Sequence, residues 1–435
     1  MIAIGIDIGS TSIKGAALDL ATSTVLAPIS RPFPAPELGL PNGWIEIDPW
    51  KVCSVVDELL SKLMEQSPKP ELLCVSGQMG GLILLDQHSK PLTNYISWRD
   101  QRTIGSAASE SAFSMVSQRW ASSGFFPELG RELQAGSTTV LSAWLRENKL
   151  LPKGATPRTI GDFVVSRLVG HATPMHATHA IGMIDLNSDQ WHYAAFEAIG
   201  IETLQLPELV FTECCVGQTY VCGAELQVYG SYGDQQCALR GAGLQRDELS
   251  LNISTGSQVS RRAATFQPGN YQSRKYFFGD TLNTVTHLPA GRSLQSLVDL
   301  LTEVAKAQAL PLDNVWQTIN QKVEAVTDTD LQVDLAFFQG PCGNRGHIEN
   351  VSTENLSVGT LFHSAYRAMA ETYAKIATRF TPQDWNRIVV SGGLVQSAPR
   401  LKRLLQERFS APLRQCGEEE TMLGLLDIAK NSVTH

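Results

Sequence analysis

The sequence predicts an α/β protein made of two similar halves. Short hydrophobic runs, such as residues 3–8 and 72–75, alternate with stretches whose apolar residues recur at helical spacing. Polar turns that contain glycine follow several of these strands, and open α/β sheets bind ligands at such strand ends. A second strand–turn–strand unit begins at residue 249, about half a chain after the first. This weak internal repeat is the reason for expecting two halves.

The N-terminal half opens with a predicted β-hairpin. Residues 3–8 and 13–20 are hydrophobic runs joined by a short polar turn. Residues 28–49 contain many prolines and glycines and predict irregular structure. Asp48 then caps a helix whose first residue is Pro49 and whose apolar residues keep helical spacing. Predicted strands at 72–75 and 83–86 follow, and the turn at 76–81 separates them.

The C-terminal half begins in the same way. Residues 249–253 and a run near residue 259 predict a second hairpin. Helices are predicted at 356–380 and 400–409, with a strand at 386–390 between them. Because no long linker marks a division, the repeat alone places the domain boundary near residue 244. The expected domains are therefore residues 1–244 and 245–435.

Composition and charge narrow the classes of function. Of the 435 residues, 43% are hydrophobic and 18% are charged, and the formal net charge is -8. We therefore expect no binding to nucleic acid or to an anionic membrane, and no apolar run approaches the roughly 20 residues that span a bilayer. The N-terminus begins as a strand rather than as a signal peptide, so a cytoplasmic location is expected. The sequence does not set the oligomeric state and leaves a homodimer open.

Two turns carry residues of the kind that hold a polyphosphate. Backbone N–H groups and hydroxyls of such turns hydrogen-bond phosphate oxygens, and a carboxylate at the preceding strand end can hold a metal ion. The first turn supplies Asp7, Gly9, Ser10, Thr11 and Ser12, and the second supplies Ser254, Thr255 and Gly256. Either turn alone is also consistent with an ordinary hairpin. The presence of both favours a clamp on a polyphosphate.

Asp234 is the candidate general base. Phosphoryl transfer to an alcohol needs a carboxylate that accepts the hydroxyl proton, and Gln235 beside it can hold a substrate hydroxyl. Because Asp234 precedes a helical pattern, a helix cap is the alternative interpretation. Gly392 and Gly393 follow a predicted strand. They either admit a flat ring such as adenine against bare backbone or allow a close-packed crossover.

Taken together and in order, these segments resemble the FGGY family of carbohydrate kinases. The resemblance covers nearly the whole chain and rests on GIDIGSTSIK at 5–14, GWIEIDP at 43–49, VSGQMGG at 75–81, SWRDQR at 97–102, GDFVVSRLVG at 161–170, GDQQCAL at 233–239, LNISTGSQ at 251–258 and VVSGGLVQS at 389–397. The family has the actin-like, ribonuclease H-like fold. The resemblance therefore implies two actin-like domains with a cleft for ATP and sugar between them.

The resemblance also implies roles for the matching residues. Asp234 would deprotonate the sugar hydroxyl, and Asp7 would lie near Mg²⁺ and the γ-phosphate. The other residues of the two turns would contact the phosphates of ATP, and Gly392 and Gly393 would pack against adenosine. The sugar pocket would be lined by Gln78, Met79, Gly80, Trp98, Asp234 and Gln235. The implied cofactors are ATP and Mg²⁺, and closure of the domains around them would exclude water.

Departures from the family pattern concern mainly the sugar site. Gly80 stands where many ketose kinases of the family have a histidine, and His176-Ala177 stands where the family has Ser-Asp. Asn344 replaces the glutamate of a Gly-Glu-Arg turn. Glycerol kinases have an Arg-Glu pair where this chain has Met79-Gly80, so glycerol is disfavoured. Each change leaves the phosphate-binding residues in place.

We expect an ATP-dependent kinase that phosphorylates a terminal hydroxyl of a ketose. The segments VSGQM and LNIST are most similar to those of sedoheptulokinases, so sedoheptulose is the first expectation, with xylulose and ribulose as alternatives. A sugar-responsive regulator on the same fold, without turnover, is the alternative from another class. The presence of Asp7, Thr11, Asp234 and Thr255 favours the enzyme, because a binding protein needs no base beside the hydroxyl.

Overall fold

The computed structural model describes residues 1–67, 69–105 and 111–433 and contains two six-stranded sheets. The strands of the N-terminal half are β1 (Ile2–Ile8), β2 (Ser12–Asp19), β3 (Thr24–Pro32), β4 (Glu46–Ile47), β5 (Leu72–Gly77), β6 (Ile83–Leu85), β7 (Tyr95–Ile96), β8 (Thr156–Arg158), β9 (Met175–His176), β10 (Ile184–Asp185), β11 (Gln190–Trp191), β12 (Leu209–Val210), β13 (Cys215–Val221) and β14 (Ala224–Gly233). Its helices are α1 (Pro49–Gln66), α2 (Ala112–Ser123), α3 (Phe125–Glu128), α4 (Thr138–Glu147), α5 (Ile160–Val169), α6 (Tyr193–Ile199) and α7 (Asp234–Gly241).

The C-terminal half has fewer, longer elements. Its strands are β15 (Glu248–Ile253), β16 (Ser257–Ala263), β17 (Gln272–Lys275), β18 (Thr281–Leu288), β19 (Gln332–Val333), β20 (Ile348–Glu349), β21 (Arg387–Ser391) and β22 (Leu413–Gln415). Its helices are α8 (Gly291–Ala307), α9 (Val315–Glu324), α10 (Val358–Ala377), α11 (Gly393–Ser397), α12 (Pro399–Arg408) and α13 (Glu420–Val433). Short 3₁₀ turns occur at Arg102–Ile104 and Phe277–Gly279.

The two large sheets share the topology of five strands, and the sixth strand, β13 or β17, is added at a different edge in each. The N-terminal sheet has the strand order β13-β14-β5-β1-β2-β3, and the C-terminal sheet has the order β17-β18-β16-β15-β21-β22. In each sheet the first strand, β1 or β15, pairs in antiparallel fashion with the next strand in sequence. On its other side it pairs in parallel with a later strand, β5 or β21. The prediction of an α/β fold with two similar halves is confirmed.

Helix α1 shows how local sequence sets an element. The side chain of Asp48 accepts a hydrogen bond from Trp50 N over 2.9 Å, and Pro49 occupies the first turn as predicted. The buried face of the helix carries Val52, Val56 and Leu59, which join the β1 and β5 side chains in one apolar core. The helix therefore covers one face of the N-terminal sheet.

One expectation about strands needs correction. Residues 24–32 form strand β3, although the prolines from residue 28 onward predicted irregular structure. Proline is tolerated there because β3 is an edge strand, and Pro28 falls where the pairing with β2 shifts register between Gly15 and Ala17. The strand predicted at 83–86 is confirmed as β6, which pairs with β8 in a separate two-stranded sheet.

A further apolar core joins the two halves of the chain. Helices α7 and α13 pack against each other, and α13 also packs on the N-terminal sheet. Leu425 and Ile428 of α13 are fully buried there with Leu18 of β2. The expected boundary at residue 244 falls between α7 and β15. Within the described residues, no helix combines the length and apolarity needed to cross a membrane.

Candidate active site

Two carboxylates, Asp7 and Asp234, lie at one edge of the N-terminal sheet. Strands β1 and β14 both pair in parallel with β5, so the carboxyl ends of the three strands meet at this edge. Asp7 lies near the end of β1, and Asp234 is the first residue of α7, directly after β14. Gln78 follows β5, and its side-chain amide donates to Gly9 O over 3.4 Å. The sheet topology therefore brings together residues that are far apart in sequence.

The surroundings of Asp234 adjust its acidity. Its pKa is raised to about 7, first by burial, which disfavours the charged form, and then by the negative charge of Asp7. Burial also raises the pKa of Asp7, and the Ser76 hydroxyl, which donates to Asp7 Oδ1 over 2.9 Å, offsets part of that rise. A general base works best when its pKa lies near the operating pH. Asp234 is therefore suited to accept a proton at neutral pH.

A cavity of about 470 Å³ opens between the two halves and has both carboxylates in its wall. All six residues that the sequence assigned to the sugar pocket line it, namely Gln78, Met79, Gly80, Trp98, Asp234 and Gln235. Trp98 comes from the N-terminal half and faces the ring of His287 from the C-terminal half, with ring centroids 6.5 Å apart. The structure thus gathers the predicted set in one place.

Amide side chains make up much of the polar wall of this cavity. The sequence singled out Gln78 and Gln235, and the structure adds Gln134, Gln258 and Gln272. A primary amide has both donors and an acceptor, and so does each hydroxyl group of a sugar. Gln258 closes the segment that resembles the second phosphate hairpin, so its position carried a signal. Gln134 and Gln272 belong to no motif that the sequence revealed.

Two charged residues, Glu132 and Arg274, also line the cavity and were missed by the sequence analysis. Arg274 Nε donates to Glu132 Oε1 over 2.6 Å, and both side chains are almost fully buried. Burial raises the pKa of Glu132, and the charge of Arg274 opposes that rise. No local pattern announces this pair, because its members lie 142 residues apart in the sequence.

Thr178 holds the backbone immediately before Asp234. Its hydroxyl accepts a hydrogen bond from Gly233 N over 2.9 Å and lies 2.9 Å from His176 Nδ1. Burial lowers the pKa of His176 to about 3, so the ring is neutral at physiological pH and can accept the Thr178 proton. Gly233 caps α7 and has no side chain to bond the helix. Thr178 therefore positions the turn that carries Asp234.

The predicted phosphate turns reach the cavity through few of their residues. Asp7 and Ser10 of the first turn and Gly256 of the second line its wall. Thr11, Ser254 and Thr255 are exposed, whereas Gly9 and Ser12 are half-buried. The carbonyl oxygens of Ser254 and Thr255 accept hydrogen bonds from Gly291 N and Arg292 N at the start of α8. The second turn is therefore anchored on that helix.

Gly392 and Gly393 lie apart from the wall that carries Asp234. Gly392 has φ +96°, and a Cβ atom there would lie 2.3 Å from Ile253 O. This glycine is therefore required for close packing of the β21–α11 turn against β15. A Cβ atom at Gly393 would meet no atom within 4 Å, so this position presents open backbone. Gly392 has the close packing that the second interpretation above describes, and Gly393 has the free space that the first one requires.

Metal binding would depend on few protein groups. Across residues 1–67, 69–105 and 111–433, no three His, Cys, Asp or Glu side chains gather closely enough to hold a metal ion by themselves. Asp7 Oδ1 is bonded to Ser76, whereas Oδ2 has no hydrogen-bond partner among the described residues. One oxygen of this cavity carboxylate is thus available to a cation that takes its other ligands from a substrate.

A match to a known protein family identifies the class of protein to which the chain belongs, the carbohydrate kinases. Residues 2–241 match the model of the N-terminal domain of the FGGY family of carbohydrate kinases. The chain belongs to this family, as its motifs predicted, and it is a kinase by family.

Individual relatives differ in how much of their length this chain spans. Sedoheptulokinase of Mus musculus is 24% identical over an alignment of 463 positions, which spans 95% of this chain and 94% of that protein. Xylulose kinase of Lactococcus lactis is 26% identical over 320 residues, which cover 67% of this chain and only 60% of that protein. The ligand-bound xylulose kinase structure from Lactobacillus acidophilus superimposes with a TM-score of 0.84 at 17% identity, covering 100% of this chain and 89% of that one. The superposition confirms the predicted two-domain actin-like fold.

Proposed function

We propose that the protein uses ATP to phosphorylate a terminal hydroxyl group of a ketose, with sedoheptulose as the first candidate. The observation that carries this proposal is Asp234, whose pKa is raised to about 7, in a cavity whose polar wall includes five glutamine amides. A poised carboxylate is what a base for hydroxyl deprotonation requires, and amides suit a ligand that carries many hydroxyl groups.

The proton transfer can be assigned to one oxygen atom. Asp234 Oδ1 accepts a hydrogen bond from Gln235 N over 2.7 Å, which leaves Oδ2 to accept the hydroxyl proton as the sugar oxygen attacks phosphorus. The Thr178 contact to Gly233 N keeps this carboxylate oriented. After transfer, the proton on Asp234 is released readily because the pKa of the group lies near neutrality.

ATP and Mg²⁺ fit the residues of the cleft. Ser10 and Gly256 approach the cavity from the two halves, and the turns that contain them would hold the phosphates. Mg²⁺ is commonly bound by one or two carboxylates together with substrate phosphates, and the free Oδ2 of Asp7 provides one such ligand. The bound ion supplies positive charge that stabilises the phosphates during transfer. Gly393 would take the adenosine against open backbone.

The choice of substrate rests on charge and on likeness. Among the described residues that line the cavity, Arg274 is the one Lys or Arg side chain, and its guanidinium is already paired with Glu132, so a neutral sugar fits better than a sugar acid. The mouse relative named sedoheptulokinase matches this chain along almost its whole length, which supports sedoheptulose first. Xylulose and ribulose remain the alternatives, since a relative named xylulose kinase matches two thirds of the chain.

The test is release of ADP by the purified protein with Mg-ATP and, in separate assays, sedoheptulose, D-xylulose, D-ribulose, L-ribulose or glycerol. We expect turnover with one ketose and a loss of about 1,000-fold or more in the Asp234→Asn variant, which keeps the shape of the side chain but cannot take up the proton. Mass spectrometry of the product confirms the sugar phosphate. Sugar binding without turnover would contradict the proposal and support a regulator instead.

A further inference from the structure

Strand β17 joins the two halves of the protein beside the cavity. Ser273 N, in the middle of this strand, donates to Gly130 O of the N-terminal half over 2.8 Å. The next two residues, Arg274 and Lys275, each form an ion pair with a carboxylate side chain of the N-terminal half. Of these two residues, Arg274 lines the cavity and Lys275 does not, because successive side chains of a strand point to opposite faces.

The ion pair of Arg274 and Glu132 is held firmly. Both oxygens of Glu132 are used, since Oε1 accepts from Arg274 Nε over 2.6 Å and Oε2 accepts from Gln272 Nε2 over 2.9 Å. The exposed fractions of the Arg274 and Glu132 side chains are 7% and 4%. A buried ion pair is weak evidence for stability, because the loss of hydration offsets most of the attraction. Its place in the cavity wall therefore points to a role in binding.

Arg274 also controls the amide of Gln235, the neighbour of Asp234. Arg274 Nη1 donates to Gln235 Oε1 over 2.5 Å, and Gln235 Nε2 donates to Gln258 Oε1 over 2.7 Å. These two bonds fix the orientation of the amide. They also occupy much of its hydrogen-bonding capacity, so Gln235 has little left to offer a sugar.

The guanidinium itself has donors to spare. Arginine carries five N–H groups, and the bonds to Glu132 and Gln235 use one on Nε and one on Nη1. The remaining N–H groups have no hydrogen-bond partner among residues 1–67, 69–105 and 111–433. Arg274 has no nitrogen that is both fully buried and unpaired, so the unpaired Nη2 keeps some accessible surface. Unused donors on a residue in the cavity wall are groups that a ligand oxygen can satisfy.

We propose that Arg274 binds an oxygen atom of the sugar, that Glu132 orients the guanidinium for this contact, and that Gln235 is a positioning residue held by Arg274. The inference rests on the proposed function and adds a specificity-determining residue to it. Since a guanidinium only donates, its partner is a hydroxyl or carbonyl oxygen of the ketose other than the hydroxyl that reacts at Asp234. The C-terminal half would thus recognise the sugar as well as the nucleotide.

The chain offers a matched control on the same strand. Lys275 is as deeply buried as Arg274 and also pairs with an N-terminal carboxylate, Asp189, but it lies outside the cavity wall. Arg274→Met and Lys275→Met therefore each remove one ion pair between the halves, and only the first removes a donor from the cavity. Glu132→Gln keeps the volume of the orienting side chain and removes its charge.

The experiment measures KM for the sugar, KM for ATP and kcat, together with sugar binding by titration calorimetry. We expect Arg274→Met to raise KM and Kd for the sugar by roughly 10- to 100-fold, as for loss of a charged hydrogen bond to a ligand, with KM for ATP unchanged. Glu132→Gln should give a smaller increase in the same direction. Lys275→Met should stay within about threefold of the wild type.

The outcomes separate the inference from the proposed function. Equal increases in Arg274→Met and Lys275→Met would overturn the inference, because the strand would then act only by joining the two halves. Unchanged sugar binding in Arg274→Met would overturn it as well. If the wild type binds a sugar without phosphorylating it, and Arg274→Met loses that binding, the inference stands and the proposed function fails. A wild type that binds none of the sugars would overturn both.

Discussion

The carboxyl groups of Asp7 and Asp234 lie at one edge of the N-terminal sheet, and the charge of Asp7 adds to the effect of burial in raising the pKa of Asp234. The two groups thus divide the work in the proposed reaction. Asp7 Oδ2 has no hydrogen-bond partner among the described residues and can bind a cation. The raised pKa of Asp234 lets this group exchange a proton near neutral pH.

This relationship predicts the pH dependence of activity. The base must be deprotonated, and its pKa is about 7, so kcat/KM for the sugar should fall tenfold per pH unit below that value and level off above it. The measurement is kcat/KM from about pH 5 to about pH 9 at saturating Mg-ATP. A profile that stays flat down to about pH 5 would show that Asp234 titrates like an ordinary aspartate.

Thr178 is predicted to act on catalysis through the backbone. Replacing Thr178 with Val keeps the shape and removes the hydroxyl that accepts from Gly233 N, at a cost of about 1–3 kcal/mol for an unsatisfied buried donor. We expect kcat to fall about tenfold or more while KM for the sugar changes little, because the cavity wall is intact. Thr178→Ser retains the hydroxyl and should stay close to the wild type. A variant in which KM rises and kcat does not would contradict a positioning role.

The absence of a side chain at Gly80 is predicted to leave space for the sugar in the cavity. Its φ is +74°, and a Cβ atom there would lie 3.3 Å from Trp98 Cβ. Gly154 has the same φ of +74°, but its Cβ atom would meet nothing within 4 Å. Both Gly→Ala changes should therefore lower stability by about 1–2 kcal/mol through the backbone, and only Gly80→Ala should raise KM for the sugar.

Thermal unfolding and steady-state kinetics of the two variants test this comparison. The two alanine variants also serve as controls for a test of substrate size at position 80. A Gly80→His change adds volume and also strains the backbone. The alanine variants measure the effect of the strain, so that a selective loss of activity with sedoheptulose relative to D-xylulose can be assigned to the added volume. Equal KM values in Gly80→Ala and Gly154→Ala would remove Gly80 from the specificity site.

The glycine pair after β21 is predicted to divide into one structural and one ligand-facing position. Gly392→Ala places a Cβ atom 2.3 Å from Ile253 O at φ +96°, so it should destabilise the protein by several kcal/mol or prevent folding. Gly393→Ala meets open space and should leave the unfolding temperature within about 2 °C of the wild type. If adenosine packs against Gly393, KM for ATP should rise in that variant while KM for the sugar does not.

The local parts of the structure could be predicted well from the sequence. The hairpins, helix α1 with its Asp48 cap, the strand that carries Asp7 and the strand that precedes Gln78 follow from short-range patterns and turn chemistry. Strand β3 was missed because an edge strand tolerates prolines that would exclude an interior strand. The ordering of strands in each sheet came only from the structure, apart from the paired hairpins.

Long-range contacts in the candidate site could not be predicted. Gln78 and Asp234 were recognised because each lies in a turn that resembles a family motif. Arg274 lies in a short strand without such a motif, and its partner Glu132 is 142 residues away. A pairing of that kind depends on how the two halves are placed, which periodicity and spacing do not encode.

The packing of α13 on the N-terminal sheet has a consequence for biosynthesis. During translation the residues that form β1, β2 and β5 emerge early, but Leu425 and Ile428, which cover one face of that sheet, are added more than 300 residues later. Until then the nascent N-terminal half exposes an apolar surface of the kind that chaperones bind. Folding of the first half is therefore completed only after synthesis of α13, which ties the two halves into one cooperative unit.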